Sequence, residues 1–230
     1  MKVTGIQKLT LLDYPGVVAC TVFTAGCNFR CPFCHNAMLV LPEQIDDECL
    51  TDDEVFGFLK KRRGVLDGVA VTGGEPLLQP GLPRFLERVK EEGYAVKLDT
   101  NGAFPARLKE LVYNGLVDYV AMDIKNAPEK YAETAGAAVR LEDIRESVSL
   151  LLSGAVDYEF RTTLVKELHT EEDMKAIGAF IAGAKRYFLQ TFRDSGDLIK
   201  AGYSALTEQE TRRFSDIVLP YVPSVKIRGQ

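Results

Sequence analysis

The sequence predicts an α/β fold, a partial, open (βα)6 TIM-like barrel. Three observations carry this. Short β-branched runs alternate with amphipathic helical runs. The alternation repeats six times in the same order. Several strand candidates are nearly continuous apolar runs, as expected of a parallel sheet covered on both faces. Repeated βα units imply right-handed crossovers. Six units fall short of the eight that close a barrel, so the sheet is expected to stay open. No linker or composition break divides the chain. Residues 1–230 are therefore expected to form one domain, with residues 1–16 as an N-terminal extension packing on the barrel.

The strand candidates are Val17–Phe23, Gly68–Thr72, Ala95–Thr100, Asp118–Asp123, Asp157–Thr163 and Arg186–Gln190, with a short seventh at Val225–Arg228. Start and stop signals frame the helices. Thr51-Asp-Asp-Glu54 is a capping box ahead of Val55, Phe56 and Leu59. Phe85, Leu86 and Val89 share one face of a run that Gly93 follows. Pro105 opens a helix carrying Leu108, Leu111 and Val112, and Gly115 closes it. Leu141, Ile144, Val148, Leu151 and Leu152 share a face that ends before Gly154. Thr170 precedes Met174, Ile177 and Phe180, and Thr207 precedes Phe214, Ile217 and Val218.

The chain has 230 residues, 46% of them hydrophobic and 27% charged, with a net charge of −5. The balance is that of a soluble globular protein. Its acidity argues against nonspecific nucleic-acid binding. Met1–Leu12 lacks the apolar core of a signal peptide, and no apolar run approaches the roughly 18 residues of a membrane span. A cytoplasmic protein without membrane or nucleic-acid partners is expected. Of its five cysteines, Cys27, Cys31 and Cys34 are clustered. Clustered thiols in such a chain point to metal or redox work rather than disulfides.

Cys27-Asn-Phe-Arg-Cys31-Pro-Phe-Cys34 follows directly on the first strand candidate, which places it at the catalytic end of a βα barrel. A closed structural zinc site takes four ligands, and an Fe–S cluster usually takes four thiolates. The loop offers three. Cys20 lies within a strand and Cys49 beyond a loop, and both are expected to be structural. Three thiolates on a four-iron cubane leave one iron open, and an open position marks a catalytic metal centre. Zinc with His35 as fourth ligand is the competing reading, disfavoured because His35 adjoins Cys34.

Further residues gather at strand ends. Thr72-Gly-Gly-Glu-Pro76 ends the second strand, and its glycines allow close backbone approach to a ligand. Asp99-Thr-Asn-Gly102 ends the third strand, Met122-Asp-Ile-Lys125 the fourth, and Arg161 the fifth, with His169 in the following loop. Arg161 suits a carboxylate. Gln190 and Arg193 could finish the pocket or face a partner.

The cysteine spacing, with Phe33 ahead of the last thiol, resembles the signature of the radical S-adenosylmethionine superfamily. Gly73-Gly-Glu-Pro76 is similar to its second motif. The whole chain, including Leu9-Thr-Leu-Leu-Asp-Tyr-Pro-Gly16 and Cys34-His-Asn36, looks most like the anaerobic ribonucleoside-triphosphate reductase activating proteins, close to pyruvate formate-lyase activases.

The resemblance implies a [4Fe–4S] cluster on Cys27, Cys31 and Cys34. It implies S-adenosylmethionine bound by Phe33, Cys34, His35, Gly73, Gly74, Glu75, Asp99, Asn101, Asp123, Ile124, Lys125, Arg161 and His169. It also implies a monovalent cation, Na+ or K+, on Asp99, Thr100 and Asp123. The implied partners are a glycyl radical enzyme, anaerobic ribonucleoside-triphosphate reductase, and flavodoxin or ferredoxin as electron donor. The implied reaction is reductive cleavage of S-adenosylmethionine to a 5′-deoxyadenosyl radical, which takes hydrogen from a glycine of that partner. Alternatives are an activase of another glycyl radical enzyme, a small-molecule enzyme of the deazaguanine synthase type, and a non-enzymatic metal-binding module.

Overall fold

Alternation along each strand sorts its residues onto two faces. Val69, Val71, Val96, Leu98, Val120 and Met122 lie on one face, fully buried in the main core. Ala70, Lys97, Asp99, Ala121 and Asp123 lie on the other. The first set needs helices over it, and the second lines an interior. The computed structural model, which describes residues 1–41, 49–194 and 196–229, has this arrangement.

Eight strands form one sheet in sequential order: β1 (Val3–Thr10), β2 (Ala19–Thr24), β3 (Gly68–Gly73), β4 (Ala95–Thr100), β5 (Tyr119–Asp123), β6 (Asp157–Leu164), β7 (Tyr187–Thr191) and β8 (Val225–Arg228). β2 to β8 are parallel throughout. β1 and β8 are the two edges, so the sheet is a partial barrel. The helices are α1 (Ala37–Val40), α2 (Asp52–Lys61), α3 (Leu82–Glu91), α4 (Pro105–Tyr113), α5 (Tyr131–Ala135), α6 (Leu141–Leu152), α7 (Glu171–Phe180) and α8 (Glu208–Val218). Of these, α2, α3, α4, α6, α7 and α8 bridge successive parallel strands, and they are the six helices the sequence predicts.

The helix starts follow their caps. Thr51, Thr170 and Thr207 each form a complete capping box, with Glu54, Asp173 and Glu210 respectively. Phe85, Leu86 and Val89 of α3, Ile144, Val148 and Leu151 of α6, and Met174 and Ile177 of α7 fill the core.

β1 lies within the N-terminal extension, and the sequence does not mark it as a strand. It joins the sheet antiparallel to β2, carrying Gln7 and Lys8 exposed on an edge. An edge strand with few buried residues leaves no apolar pattern to detect. The following Asp13-Tyr-Pro-Gly turn plugs the bottom of the barrel. Tyr14, Ala19 and Tyr119 make a small second core there, with the two tyrosine rings 6.0 Å apart. Asp13 accepts a 2.5 Å hydrogen bond from Thr21 Oγ1, pinning the turn to β2. Among the described residues no helix is long and apolar enough to cross a membrane.

Candidate active site

The cysteine loop starts where β2 ends, and the neighbouring strand ends hold it by main-chain bonds. Gly74 N–H donates to Thr24 O at 2.9 Å, and Glu75 N–H to Gly26 O at 2.8 Å. A Cβ on Gly73 would collide with Thr24 backbone, and one on Gly74 with Gly26 backbone. The paired glycines are thus required by packing of two main chains, before any ligand is considered. Further along, Arg30 N–H donates to Ala135 O at 2.8 Å, and Lys200 N–H to Pro32 O at 2.9 Å. The Arg30 guanidinium turns back to the carbonyls of Cys27 and Phe29, at 2.6 and 2.8 Å. Asn101 Nδ2 reaches Asn28 Oδ1 at 2.8 Å and Cys27 Sγ at 3.9 Å.

The loop faces a cavity of about 310 Å3 at the C-terminal ends of the strands. Cys27, Cys31, Cys34, Phe33 and His35 line it from the loop. Gly73, Gly74, Asp99, Thr100, Asn101, Asp123, Lys125 and Arg161 line it from the strand ends, with Gln190 opposite. The structure therefore gathers most of the predicted residues at one mouth. His35 stacks on Phe192, ring centroids 5.4 Å apart.

Three predicted cofactor contacts do not reach the cavity wall. Glu75 is buried beneath it, where its carboxylate accepts from Leu77 N–H, Thr100 Oγ1 and Asn101 N–H. Ile124 is wholly buried in the core. The His169 ring is buried, with Nδ1 accepting from Val165 N–H at 3.1 Å and Nε2 donating to Lys125 O at 3.0 Å. All three shape the strand ends from behind. Arg193 also lies off the wall, donating to Gly229 O at 2.7 Å. Sequence reasoning missed Phe29, Asn36, Thr163 and Thr191, which do line it. The Thr191 hydroxyl has no hydrogen-bond partner among the described residues. It follows Gln190 at the end of β7, and the strand-end rule that found Asp99 and Asp123 would have found it too.

Along the strand-end wall of the cavity runs a chain of charges. Lys97, from inside the barrel, pairs with Asp99 Oδ1. Arg161 donates from Nη1 to Asp99 Oδ2 at 3.0 Å and from Nε to Asp123 Oδ1 at 2.8 Å. Lys125 donates to Asp123 Oδ2 at 2.9 Å. Burial would push the Asp123 carboxyl up, but Arg161 and Lys125 outweigh it and hold it at about 2. Asp99 is likewise held below the usual range: burial opposes, and Arg161 and Lys97 prevail. Burial pushes the Cys27 thiol up to about 12 and also raises Cys31, with Lys125 opposing the rise at Cys31. Such thiols are inert until metal binding removes their protons.

The donor set fits a multi-iron cluster. Three sulfurs border one cavity, yet among the described residues no three Cys, His, Asp or Glu side chains converge where a single ion could sit. A cubane takes one thiolate per iron, so its thiolates need not converge on a point. Lys125 and Arg161 on the opposite wall suit an anionic group beside such a cluster.

Residues 21–181 match the family model of the radical SAM superfamily. The chain belongs to that superfamily. It is an enzyme, and membership implies a [4Fe–4S] cluster and S-adenosylmethionine. Across 98% of its length it is 33% identical to a Methanocaldococcus jannaschii protein named as a glycyl-radical enzyme activating enzyme, covering 95% of that protein. It is 32% identical to the pyruvate formate-lyase-activating enzyme of Clostridium pasteurianum, over 56% of this chain and 54% of that one. The crystal structure of a domain of pyruvate-formate lyase-activating enzyme from Bacteroides vulgatus superposes with a TM-score of 0.58 at 22% identity, covering 70% of this chain and 99% of that one. That last likeness is one of fold.

Proposed function

We propose that this radical SAM enzyme is a glycyl-radical-enzyme activase whose partner is an anaerobic ribonucleoside-triphosphate reductase. The observation that carries the reading is the meeting of three thiols and two cationic side chains at one open strand-end cavity, in a chain similar end to end to a protein named for that role. The choice of reductase rests on the resemblance of Leu9–Gly16 and Cys34–Asn36 to its activating proteins.

In this reading Cys27, Cys31 and Cys34 hold the cluster. Lys125 and Arg161 hold the carboxylate of S-adenosylmethionine, and the backbone at Gly73 and Gly74 meets its amino group. When bound, the two cofactors supply a 5′-deoxyadenosyl radical able to take hydrogen from a glycine Cα. The chain's own contribution is placement. Phe33 packs the cavity wall, Asn101 steadies the Cys27 end of the loop, and the walls keep water from the reacting carbon. Flavodoxin or ferredoxin serves as electron donor in the cytoplasm.

Anaerobic reconstitution with iron and sulfide tests the class. Release of 5′-deoxyadenosine on reduction is expected; stoichiometric zinc without cleavage overturns it. Incubation with the reductase should then give a glycyl doublet by EPR. A doublet given only by a pyruvate formate-lyase would refute the partner.

A further inference from the structure

The resemblance implies Na+ or K+ on Asp99, Thr100 and Asp123, and the donor atoms do not fit that ion. A hard cation is drawn to anionic oxygens whose charge no fixed cation already neutralises. Both carboxylate oxygens of Asp99 are engaged, Oδ1 by Lys97 and Oδ2 by Arg161. Both of Asp123 are engaged, Oδ1 by Arg161 and Oδ2 by Lys125. The Thr100 hydroxyl donates to Glu75 Oε1 at 2.8 Å and accepts from Gly102 N–H at 3.1 Å. Lys97, Arg161 and Lys125 against Asp99 and Asp123 leave one net positive charge. A metal cation entering there is repelled, where two bare carboxylates would attract it.

Lys97 is the unusual member. It sits two residues before Asp99 on the same strand, so alternation aims both side chains into the barrel. It is 1% exposed, far from where a lysine ordinarily lies. Such burial of an ammonium is tolerated only when it is paired. Tyr119 stands level with it on β5, and Asp99 pairs with it two residues along β4. The strand fixes this charge in place, whereas a dissolved ion must be recruited.

We propose that Lys97 is a built-in counterpart of the monovalent cation, a positioning residue that makes the site independent of Na+ and K+. It holds Asp99, and through Arg161 also Asp123, in the geometry the cavity wall needs. The idea rests on the activase reading only where activity is measured.

Two arms test it. The apo protein is unfolded by heat in choline, sodium or potassium chloride at equal ionic strength, and 23Na NMR line widths are recorded. Wild type should show one midpoint in all three salts and no specific broadening. Lys97→Met, with Lys97→Gln as the second variant, should gain a midpoint rise in sodium or potassium and broaden the 23Na line. In the second arm the reconstituted enzyme releases 5′-deoxyadenosine. Wild type should release it equally in all three salts. The variants should be about tenfold slower in choline, having lost one partner of a buried ion pair, and recover with potassium or sodium. A wild-type midpoint or rate that depends on sodium or potassium overturns the proposal, as does a variant as active in choline as wild type. Absence of any cleavage by wild type would sink the activase reading, while the apo arm still decides Lys97.

Discussion

The Glu75 carboxylate, at the end of β3, accepts a 2.7 Å hydrogen bond from the backbone N–H of Asn101 at the end of β4. The same group takes the Thr100 hydroxyl at 2.8 Å and the Leu77 N–H at 3.1 Å. It is 1% exposed. One buried acid therefore ties two strand ends together, and Asn101 in turn touches the cysteine loop. Glu75→Ala would strand two buried N–H groups, at a cost of about 3 kcal/mol. Urea unfolding of the apo protein should show that loss. Iron uptake should fall with it, because Asn101 loses its anchor. A variant with unchanged stability would contradict the account.

Replacing Cys27, Cys31 or Cys34 singly with Ser should reduce iron after reconstitution to a small fraction of wild type and abolish cleavage. Cys20→Ser should keep its iron. Cys20 is wholly buried in β2, its thiol pushed up to about 12 by burial. A hydroxyl there costs about 1–3 kcal/mol unless it finds a partner. Cys49 is half-buried and outside the cavity wall. Cys49→Ser should also keep its iron. Iron and sulfide assays on the purified variants decide both claims.

Much of this was legible in the sequence, for physical reasons. Apolar strands such as Gly68–Gly73 and capped helices such as Asp52–Lys61 announce themselves through local pattern. Alternation then carries Asp99, Asp123 and Arg161 to one end of the sheet. The unread parts depend on contacts between distant segments. β1 gains its place by pairing with β2, not through its own hydrophobicity. Glu75 and Ile124 adjoin wall residues in sequence, but side-chain direction turns them away from the cavity, and the His169 ring folds back onto Val165 and Lys125 behind it. Lys97 passed unnoticed because a lysine in a strand reads as solvent-facing until the barrel interior is seen.

Gly136 is another such contact. It caps α5 in the left-handed conformation, φ +62°. A Cβ there would run into the Arg30 carbonyl. Arg30 lies between Cys27 and Cys31, and its N–H is held by Ala135 O at 2.8 Å. Gly136→Ala should cost about 1–2 kcal/mol for the backbone conformation alone. The collision should also shift the cysteine loop. Reconstituted Gly136→Ala is expected to bind less iron than its residual stability explains. Full iron content and wild-type cleavage would show that the loop absorbs the clash.

His169 gives the protein a pH dependence whose sign is fixed by burial of its ring. Nδ1 accepts from Val165 N–H, so the ring is neutral with its proton on Nε2, which donates to Lys125 O. Protonation would cost the bond from Val165 N–H and turn Nδ1 to the Val165 carbonyl, 3.2 Å away. Burial disfavours the charged ring and, outweighing the carbonyls of Lys125 and Val165, holds its pKa below the ordinary 6.5. In the unfolded chain the ring is free to protonate. The unfolded state thus binds more protons than the folded one between the depressed pKa and 6.5, and stability falls as pH drops through that window. Above 6.5 the contribution is complete. His169→Gln, whose amide can accept from Val165 and donate to Lys125, should lose about 1 kcal/mol at pH 7.5. Its stability should fall less between pH 7.5 and 5.5 than wild type, measured by urea unfolding of the apo protein. Equal slopes for the two proteins would mean that His169 is not the group that titrates.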